Sequence, residues 1–185
     1  MIRKILISYV VAISLILFST QAFALINFSV GVPLSHTFTG KYNGGDDVKS
    51  DGVSGTFVQI GVPILPGIGM DNYKTKLKVD GATEQHEVET SIYNLYYLLP
   101  IPVINLTFGA GVGSTELKCS YCAANFDKGA ATQVYASLGF PIIPLFDLHL
   151  SYRSVSSKVK GKGANEGNDT DLGGNVMGLG IGFNF

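Results

Sequence analysis

Three residues in one short segment have the types and spacing of a catalytic set. Asp147, His149 and Ser151 occupy alternate positions, so in an extended strand their side chains lie on the same face. A carboxylate that orients a histidine, and a histidine that takes a proton from a serine hydroxyl, are the parts of a nucleophilic site. Whether they act together depends on the environment in which the fold places that face.

The chain has two cysteines, Cys119 and Cys122, separated by two residues. Such a pair is compatible with a disulfide, a redox motif or half of a zinc site. A redox motif belongs beside a thioredoxin-like pattern and a zinc site needs a second pair of ligands, and the sequence shows neither. In an oxidising compartment the pair predicts a disulfide that pins a loop. Because the enclosed ring is small, the expected stabilisation is modest.

The first 24 residues predict a cleaved signal peptide. Arg3 and Lys4 give a basic start, an apolar run follows, and Ala22 and Ala24 fit an A-x-A cleavage site. The apolar run is shorter than the ~20 residues that a membrane-spanning helix needs, which argues against an uncleaved anchor. The expected organisation is a signal peptide at residues 1–24 and one exported domain at residues 25–185.

The composition excludes several classes of protein. The chain is 46% hydrophobic and 15% charged, with a net charge of -1. Disordered chains combine low hydrophobicity with high charge, and nucleic-acid binders carry a clustered basic excess, so we expect neither disorder nor a nucleic-acid partner. The sequence contains no phosphate-binding loop and no zinc motif, and we expect no cofactor and no metal.

From residue 25 onward, apolar and polar side chains alternate with a period of two, which is typical of strands with two different environments. Eight segments show this pattern: residues 25–35, 57–64, 67–79, 90–99, 104–113, 133–140, 146–153 and 177–185. Three short connections that contain proline alternate with four longer polar connections. Short turns at one end and long loops at the other are typical of outer-membrane barrels.

The polar phase of these strands distinguishes a barrel from a soluble sandwich. It is rich in Gly, Ser, Thr, Asn and Gln and poor in charge, whereas a water-facing surface is ~25–35% charged. Small polar residues suit the interior of a narrow closed barrel, while the apolar phase can face lipid because closure satisfies every backbone amide. The sequence therefore predicts an all-β protein, an eight-stranded antiparallel transmembrane up-and-down β-barrel with both termini on the periplasmic side.

Aromatic residues near the predicted strand ends fit the girdles of such a barrel. They are Phe38, Tyr93, Tyr97, Phe140, Phe146, Tyr152, Phe183 and Phe185. The final strand alternates and ends in Phe183-Asn184-Phe185, and it resembles the C-terminal signal of bacterial outer-membrane β-barrel proteins. The exported chain is similar to small barrels such as OmpX, OmpW and the OmpA membrane domain.

This resemblance implies residence in a Gram-negative outer membrane, among outer-membrane lipid and lipopolysaccharide. It also implies that the barrel-assembly machinery recognises Phe183 and Phe185. In such a barrel the face of Asp147, His149 and Ser151 points into the lumen near the periplasmic side. The His-x-Ser pair resembles part of the catalytic set of lipid A deacylase barrels, but lipid A lies in the opposite leaflet, so we expect no catalytic residues.

We expect instead an interior network of hydrogen bonds and ions, because buried polar groups must be paired. Its predicted members are Asp147, His149, Arg153, Gln133, Tyr135, Asn105 and Asn184.

Two stripes of lysines could contact the phosphates of lipopolysaccharide. Lys158, Lys160 and Lys162 alternate beyond one strand, and a cation at such a position can bind a phosphate as a point charge. A second stripe at residues 74, 76 and 78 repeats the spacing, but the apolar phase slips between Met70 and Tyr73. The slip predicts a β-bulge and leaves the direction of this second stripe open.

The functional expectation is an outer-membrane barrel with a filled polar lumen. It would have a structural role, or would contact a host or surface ligand through its four extracellular loops. One alternative is a narrow channel for small or apolar solutes, which needs an open lumen or a lateral gap. A third hypothesis is a lipid A-modifying enzyme.

Overall fold

The computed structural model describes most of the predicted exported domain: residues 26–42, 46–62, 65–78, 86–101, 104–143 and 145–185. The predicted signal peptide lies outside the described residues. Eight long strands follow one another: β1 (Asn27–Phe38), β2 (Lys49–Gly61), β3 (Pro66–Lys78), β4 (His86–Ile101), β5 (Ile104–Lys118), β6 (Gly129–Ile143), β7 (Phe146–Val159) and β8 (Gly174–Asn184).

Each strand pairs antiparallel with its neighbours in sequence. The sheet closes because β8 also pairs with β1, and the amides of Ile26 and Phe185 each donate to the carbonyl oxygen of the other, at 3.0 and 2.9 Å. The predicted eight-stranded up-and-down barrel is confirmed. No helix among the described residues is long and apolar enough to cross a bilayer.

The two ends of the barrel differ. The turn end carries Ile26, Phe185 and the short connections that follow β2, β4 and β6. The loop end carries the described residues of the longer connections, at 39–42, 46–48, 119–128 and 160–173, while the segment between β3 and β4 lies outside the described residues. The strands extend beyond the segments predicted from the alternation, because their outer ends alternate with the opposite polarity. In outer-membrane barrels short turns are periplasmic and longer loops extracellular.

The wall of the barrel reverses its polarity at one level. The outermost apolar residues that face outward form a row around the barrel: Leu34, Val58, Met70, Tyr93, Val112, Val134, Tyr152 and Met177. Between this row and the turn end, apolar side chains such as Phe108 face outward and many polar side chains face the lumen. This part of the barrel is called the apolar band here. Between the row and the loop end, lysine, glutamate and serine face outward, while Val88, Leu117 and Val159 are buried inside.

This reversal explains the irregularity predicted in β3. The prediction of a bulge between Met70 and Tyr73 is wrong, because both ladders of β3 run through these residues without a shift. Met70 faces outward and Tyr73 faces inward. The apolar phase changes because the strand leaves the apolar band at this level, and its backbone stays regular.

A β-bulge in β1 corrects the prediction for Phe38. Phe38 is buried in the lumen and does not belong to an outer girdle. The ladder between β1 and β8 shifts between Pro33 and Ser35. Because one extra residue moves every later side chain to the other face, Leu34 points outward, whereas His36 and Phe38 point inward.

Candidate functional site

The lumen contents at the turn end form a hydrogen-bonded network around Asp147. Asn105 and Asn184 donate to Asp147 Oδ2 at 2.5 and 3.1 Å, and His149 Nε2 lies 2.5 Å from Asp147 Oδ1. Asn27 Nδ2 extends the network by donating to Asn184 Oδ1 at 2.7 Å. Four predicted members of the lumen network therefore meet here and distribute one buried negative charge.

A second layer crosses the barrel near the polarity reversal. Arg153 on β7 donates from Nε to Asp71 Oδ2 on β3 at 2.9 Å, and both side chains are at most 3% exposed. Gln133 donates to the same Asp71 oxygen at 2.6 Å and to Asn94 Oδ1 at 2.9 Å. The Arg153 guanidinium also lies 3.6 Å from the centre of the Phe57 ring. Since β3 and β7 are four strands apart in an eight-stranded barrel, this ion pair spans the lumen.

A second bridge across the barrel lies beside Arg153. Gln59 on β2 donates to the hydroxyl of Tyr135 on β6 at 2.6 Å, and Ser29 donates to Gln59 at 3.1 Å. Strands β2 and β6 are also diametrically opposed. The Tyr135 ring covers Gly109, its cross-strand neighbour, where a Cβ would meet the ring. Large aromatic side chains and facing glycines together fill a narrow barrel.

One small void lies beside these bridges. The void bounded by Ser29, Gln59, Ser137 and Arg153 has a volume of about 20 Å³. A cavity of roughly 10–15 Å³ holds one water molecule, so this void accommodates about one.

The structure pairs Asp147 with His149 and gives Ser151 other partners. His149 contacts Asp147 through Nε2, and its Nδ1 lies 3.5 Å from Ser137 Oγ. Ser151 donates its hydroxyl proton to the carbonyl oxygen of Gly178 at 3.2 Å and accepts a hydrogen bond from Arg153. The histidine and Ser151 therefore have different partners. Among the described residues, no three His, Cys, Asp or Glu side chains form a group that could hold a metal ion.

Apolar side chains close the lumen at the loop end. One cluster lies at the level of the polarity reversal: Phe57, Tyr73, Ile92, Ala131, Val155 and Val176. A second cluster lies above it and is called the apolar plug here: Phe38, Val88, Leu117, Cys122, Phe126, Val159 and Leu172. Beyond the apolar band the lumen therefore contains apolar side chains, and within the band Tyr96, Leu98 and Tyr135 form a third buried cluster beside the polar residues.

The connection at residues 119–128 contributes to the plug and is attached to its neighbour. A short helix, α1 (Cys122–Asn125), follows a disulfide between Cys119 and Cys122, which agrees with the predicted pairing. Asp127 N donates to Lys160 O at 2.9 Å, and Lys162 N donates to Asn125 O at 2.8 Å. The connection at 119–128 and the connection at 160–173 therefore form one surface, called the loop platform here.

The lysines predicted to contact lipopolysaccharide are partly engaged within the protein. Lys158 Nζ lies 3.6 Å from Asp169, and Lys162 Nζ lies 3.0 Å from Asp127. Strand β7 ends at Val159, so Lys160 and Lys162 belong to the loop platform and not to a strand face. Contact between these lysines and lipopolysaccharide stays a prediction. The second stripe, Lys74–Lys78, faces outward on β3.

The C-terminal aromatic residues contribute to a rim at the turn end. The Phe183 ring lies 4.9 Å from that of Phe146 and 6.2 Å from that of Phe28, and Phe185 stacks on it at 6.4 Å. Phe185 is exposed and Phe183 is half-buried beside the closing strand pair. Their recognition by the assembly machinery stays a prediction.

Sequence reasoning missed the acidic partner of Arg153. Asp71 was overlooked because the supposed bulge made its direction in β3 uncertain. The available signal was an isolated carboxylate between Met70 and Tyr73, which a regular strand places in the lumen. Asn94 and Gln59 were missed for a different reason, since polar amides on an inward face are common and do not identify their partners.

No family model matches this chain, and no curated protein matches it. Its fold is similar to that of OprG from Pseudomonas aeruginosa, with a TM-score of 0.57, 14% identity, and coverage of 88% of this chain and 96% of that one. The corresponding values are 0.55, 11%, 88% and 98% for Escherichia coli outer membrane protein W. They are 0.55, 10%, 86% and 97% for Neisserial surface protein A. The chain therefore has the fold of small eight-stranded outer-membrane barrels, and its apolar band fits an outer-membrane location.

Proposed function

We propose that this protein is an integral outer-membrane barrel with a closed lumen, which stabilises the envelope and presents the loop platform at the cell surface. The observation that carries the proposal is the pair of bridges across the barrel. Arg153 reaches Asp71 between β7 and β3, and Gln59 reaches Tyr135 between β2 and β6. Together they occupy two diameters of the lumen, and the apolar plug covers them.

Conductance distinguishes this proposal from a channel. We expect refolded protein in planar bilayers to give no resolved conductance steps, because ions would have to displace a buried ion pair. The variant in which Asp71 and Arg153 are both replaced by alanine serves as the comparison, since it removes one of the two bridges. Well-resolved steps from the wild-type barrel would contradict the closed lumen and favour the channel for small solutes.

The proposal also assigns no catalytic role to Asp147, His149 and Ser151, because the hydroxyl of Ser151 is directed to a carbonyl oxygen. We expect the lipid A mass spectrum to be the same in cells that express the wild type, in cells that express His149→Ala, and in cells that lack the protein. A lipid A species that depends on His149 would favour the enzyme.

The envelope role predicts a phenotype. Deletion of the gene is expected to sensitise cells to bile salts, and expression of the wild type to restore resistance. A variant in which a short glycine linker replaces residues 160–169 tests the loop platform separately, because it keeps Thr170, Asp171 and Leu172, which pair with the outer end of β7. Unchanged resistance after deletion of the gene would contradict the structural role, and contact with a surface ligand would then be the remaining function of the loop platform.

A further inference from the structure

The lipid-facing wall has a groove between β2 and β5. Its volume is about 730 Å³, within the roughly 300–1,000 Å³ of ligand sites. Ala110 and the backbone of Gly69 and Gly111 form its floor, and Met70 and Tyr93 are among the large side chains at its sides. The ladders of β4 run unbroken beneath it, from Gly69 through Asn94 to Gly111. The groove is therefore a depression in the outer surface and not an opening into the lumen.

Above the groove, the outward residues of β3, β4 and β5 change character in the same order. The first row is apolar and the second is small and polar. The third row is charged. In sequence these rows are Met70, Tyr93 and Val112, then Asn72, Ser91 and Ser114, then Lys74, Glu89 and Glu116. This order from apolar to charged matches the depth profile of a lipid with a charged headgroup in the outer leaflet.

The β3 lysines continue this surface toward the loop end. Lys78 faces Lys49 directly across the ladder between β3 and β2, and like charges in such a position repel each other. Glu87 is the cross-strand neighbour of Lys76, but within the described part of the chain no carboxylate lies within 4.0 Å of Lys49, Lys76 or Lys78, whereas Lys74 is 3.8 Å from Glu89. An anion bound between them would offset this repulsion.

The geometry points to one binding site for lipopolysaccharide, with an acyl chain in the groove and phosphates on Lys74, Lys76 and Lys78. The site rests on the proposed outer-membrane location. Strands rise about 3.3 Å per residue, so the lysines span about 13 Å along β3. A phospholipid carries its phosphate at one level, whereas lipopolysaccharide carries several phosphates on its acylated sugars and on the adjoining core, which fits three cations at successive levels.

The experiment measures binding of purified lipopolysaccharide to the folded full-length barrel in detergent by native mass spectrometry. We expect retained lipopolysaccharide on the wild type, and weaker retention of phosphatase-treated lipopolysaccharide and of phosphatidylglycerol. The triple variant K74Q/K76Q/K78Q is expected to bind roughly tenfold more weakly, since each exposed ion pair contributes modestly. Ala110→Phe fills the groove from outside the lumen and is expected to reduce binding as well.

Two controls place the site on this face. The double variant K158Q/K160Q removes cations from the opposite side, where the sequence predicted the contact, and so sets that prediction against the site on β3. Ala136→Phe adds the same ring to a lipid-facing position on β6 outside the groove. Both are expected to bind as the wild type does. The proposal is overturned if the controls lose as much affinity as the site variants, if the site variants bind normally, or if phosphatidylglycerol binds equally well.

Heat-dependent mobility in gels verifies that each variant is folded. A failure of this proposal leaves the conductance result untouched, because the lysines and Ala110 lie outside the lumen. Conversely, a conducting barrel could still bind lipopolysaccharide on its outer wall. The two proposals therefore fail independently.

Discussion

The part of the barrel within the apolar band and the part beyond it have opposite distributions of polar and apolar side chains. Inside the band, Leu106 and Phe108 face outward while Asn105 and Thr107 are buried in the lumen. Beyond the band, Glu116 faces outward while Leu117 is buried. A single strand, β5, contains both arrangements without any interruption of its ladders.

The difference follows from the solvent around each part. For an apolar side chain, lipid tails are as favourable a surrounding as other apolar side chains are, so moving it from lipid into the lumen brings little hydrophobic gain. Polar contacts can therefore stabilise the lumen within the band. Where the outer wall meets water, burial of apolar surface drives folding as in soluble proteins, at about 25 cal/mol per Å². The stability of the lumen within the band therefore depends on the geometry of its hydrogen bonds. The stability of the apolar plug depends on how well its side chains fill the available volume.

The largest effect is expected for Asp71→Ala, within the band. The change leaves the Arg153 guanidinium buried without its carboxylate, and breaking a buried pair in this way costs about 3–5 kcal/mol. Urea titration in lipid vesicles, followed by far-ultraviolet circular dichroism because the chain has no tryptophan, measures the free energy of unfolding. The double variant Asp71→Leu/Arg153→Met is expected to be more stable than the single variant. A neutral Asp71→Ala would show that the bridge contributes little.

Next in size is Phe126→Ala, in the apolar plug. Loss of this buried ring leaves a cavity and costs about 3 kcal/mol, at the lower end for such changes because the connection can relax. We expect faster amide exchange at residues 119–128, with the band unaffected. Ala123→Ser is the control in the same connection, since the Ala123 side chain is exposed. Equal exchange in the two variants would mean that the plug does not hold the connection in place.

A third prediction probes packing in the polar network. In Gly182→Ala the added Cβ would overlap with Asp147 Oδ1 and His149 Nε2, and such overpacking costs about 2 kcal/mol. If the overlap is the cause, His149→Ala in the same chain should relieve part of it, which a double-mutant cycle measures as a coupling free energy. Additive effects of the two substitutions would place the strain elsewhere.

The sequence was sufficient for the barrel within the band, where period-two alternation is strong. The strand at residues 104–113 begins at Ile104 as predicted and continues to Lys118. The same reasoning failed beyond the band, because it assumed one polarity for the whole wall. That assumption turns the change of phase between Met70 and Tyr73 into a predicted bulge and makes Phe38 a predicted girdle residue. In the structure Tyr73 and Phe38 are both inward side chains in the part of the barrel that water surrounds.

For the candidate site, the sequence predicts which side chains face the lumen, but it does not predict which of them contact each other. Alternation placed Asp147, His149 and Arg153 in the lumen, where the structure has them. It could not predict that Arg153 reaches Asp71 across the barrel, because register and closure decide which opposed side chains meet. The groove on the outer wall was likewise inaccessible, since it depends on the relative sizes of outward residues on four neighbouring strands.

The smallest effect is expected for the disulfide. Replacing Cys119 and Cys122 by serine opens a ring of only four residues, so the chain-entropy contribution is at most about 1–2 kcal/mol. The connection at 119–128 keeps its hydrogen bonds to Lys160 and Lys162 and the buried Phe126 ring. We therefore expect amide exchange to accelerate at Ser120 and Tyr121 and to stay slow at Asp127.

Wild type treated with a reductant is the control for this prediction, since it opens the same ring without placing a serine hydroxyl in the apolar plug, where Cys122 is buried. If the reduced wild type and the double serine variant exchange alike, the ring itself sets the local stability. If exchange also accelerates at residues 160–173, the disulfide holds the whole loop platform, and the part of the barrel beyond the apolar band depends on a covalent constraint in addition to apolar burial.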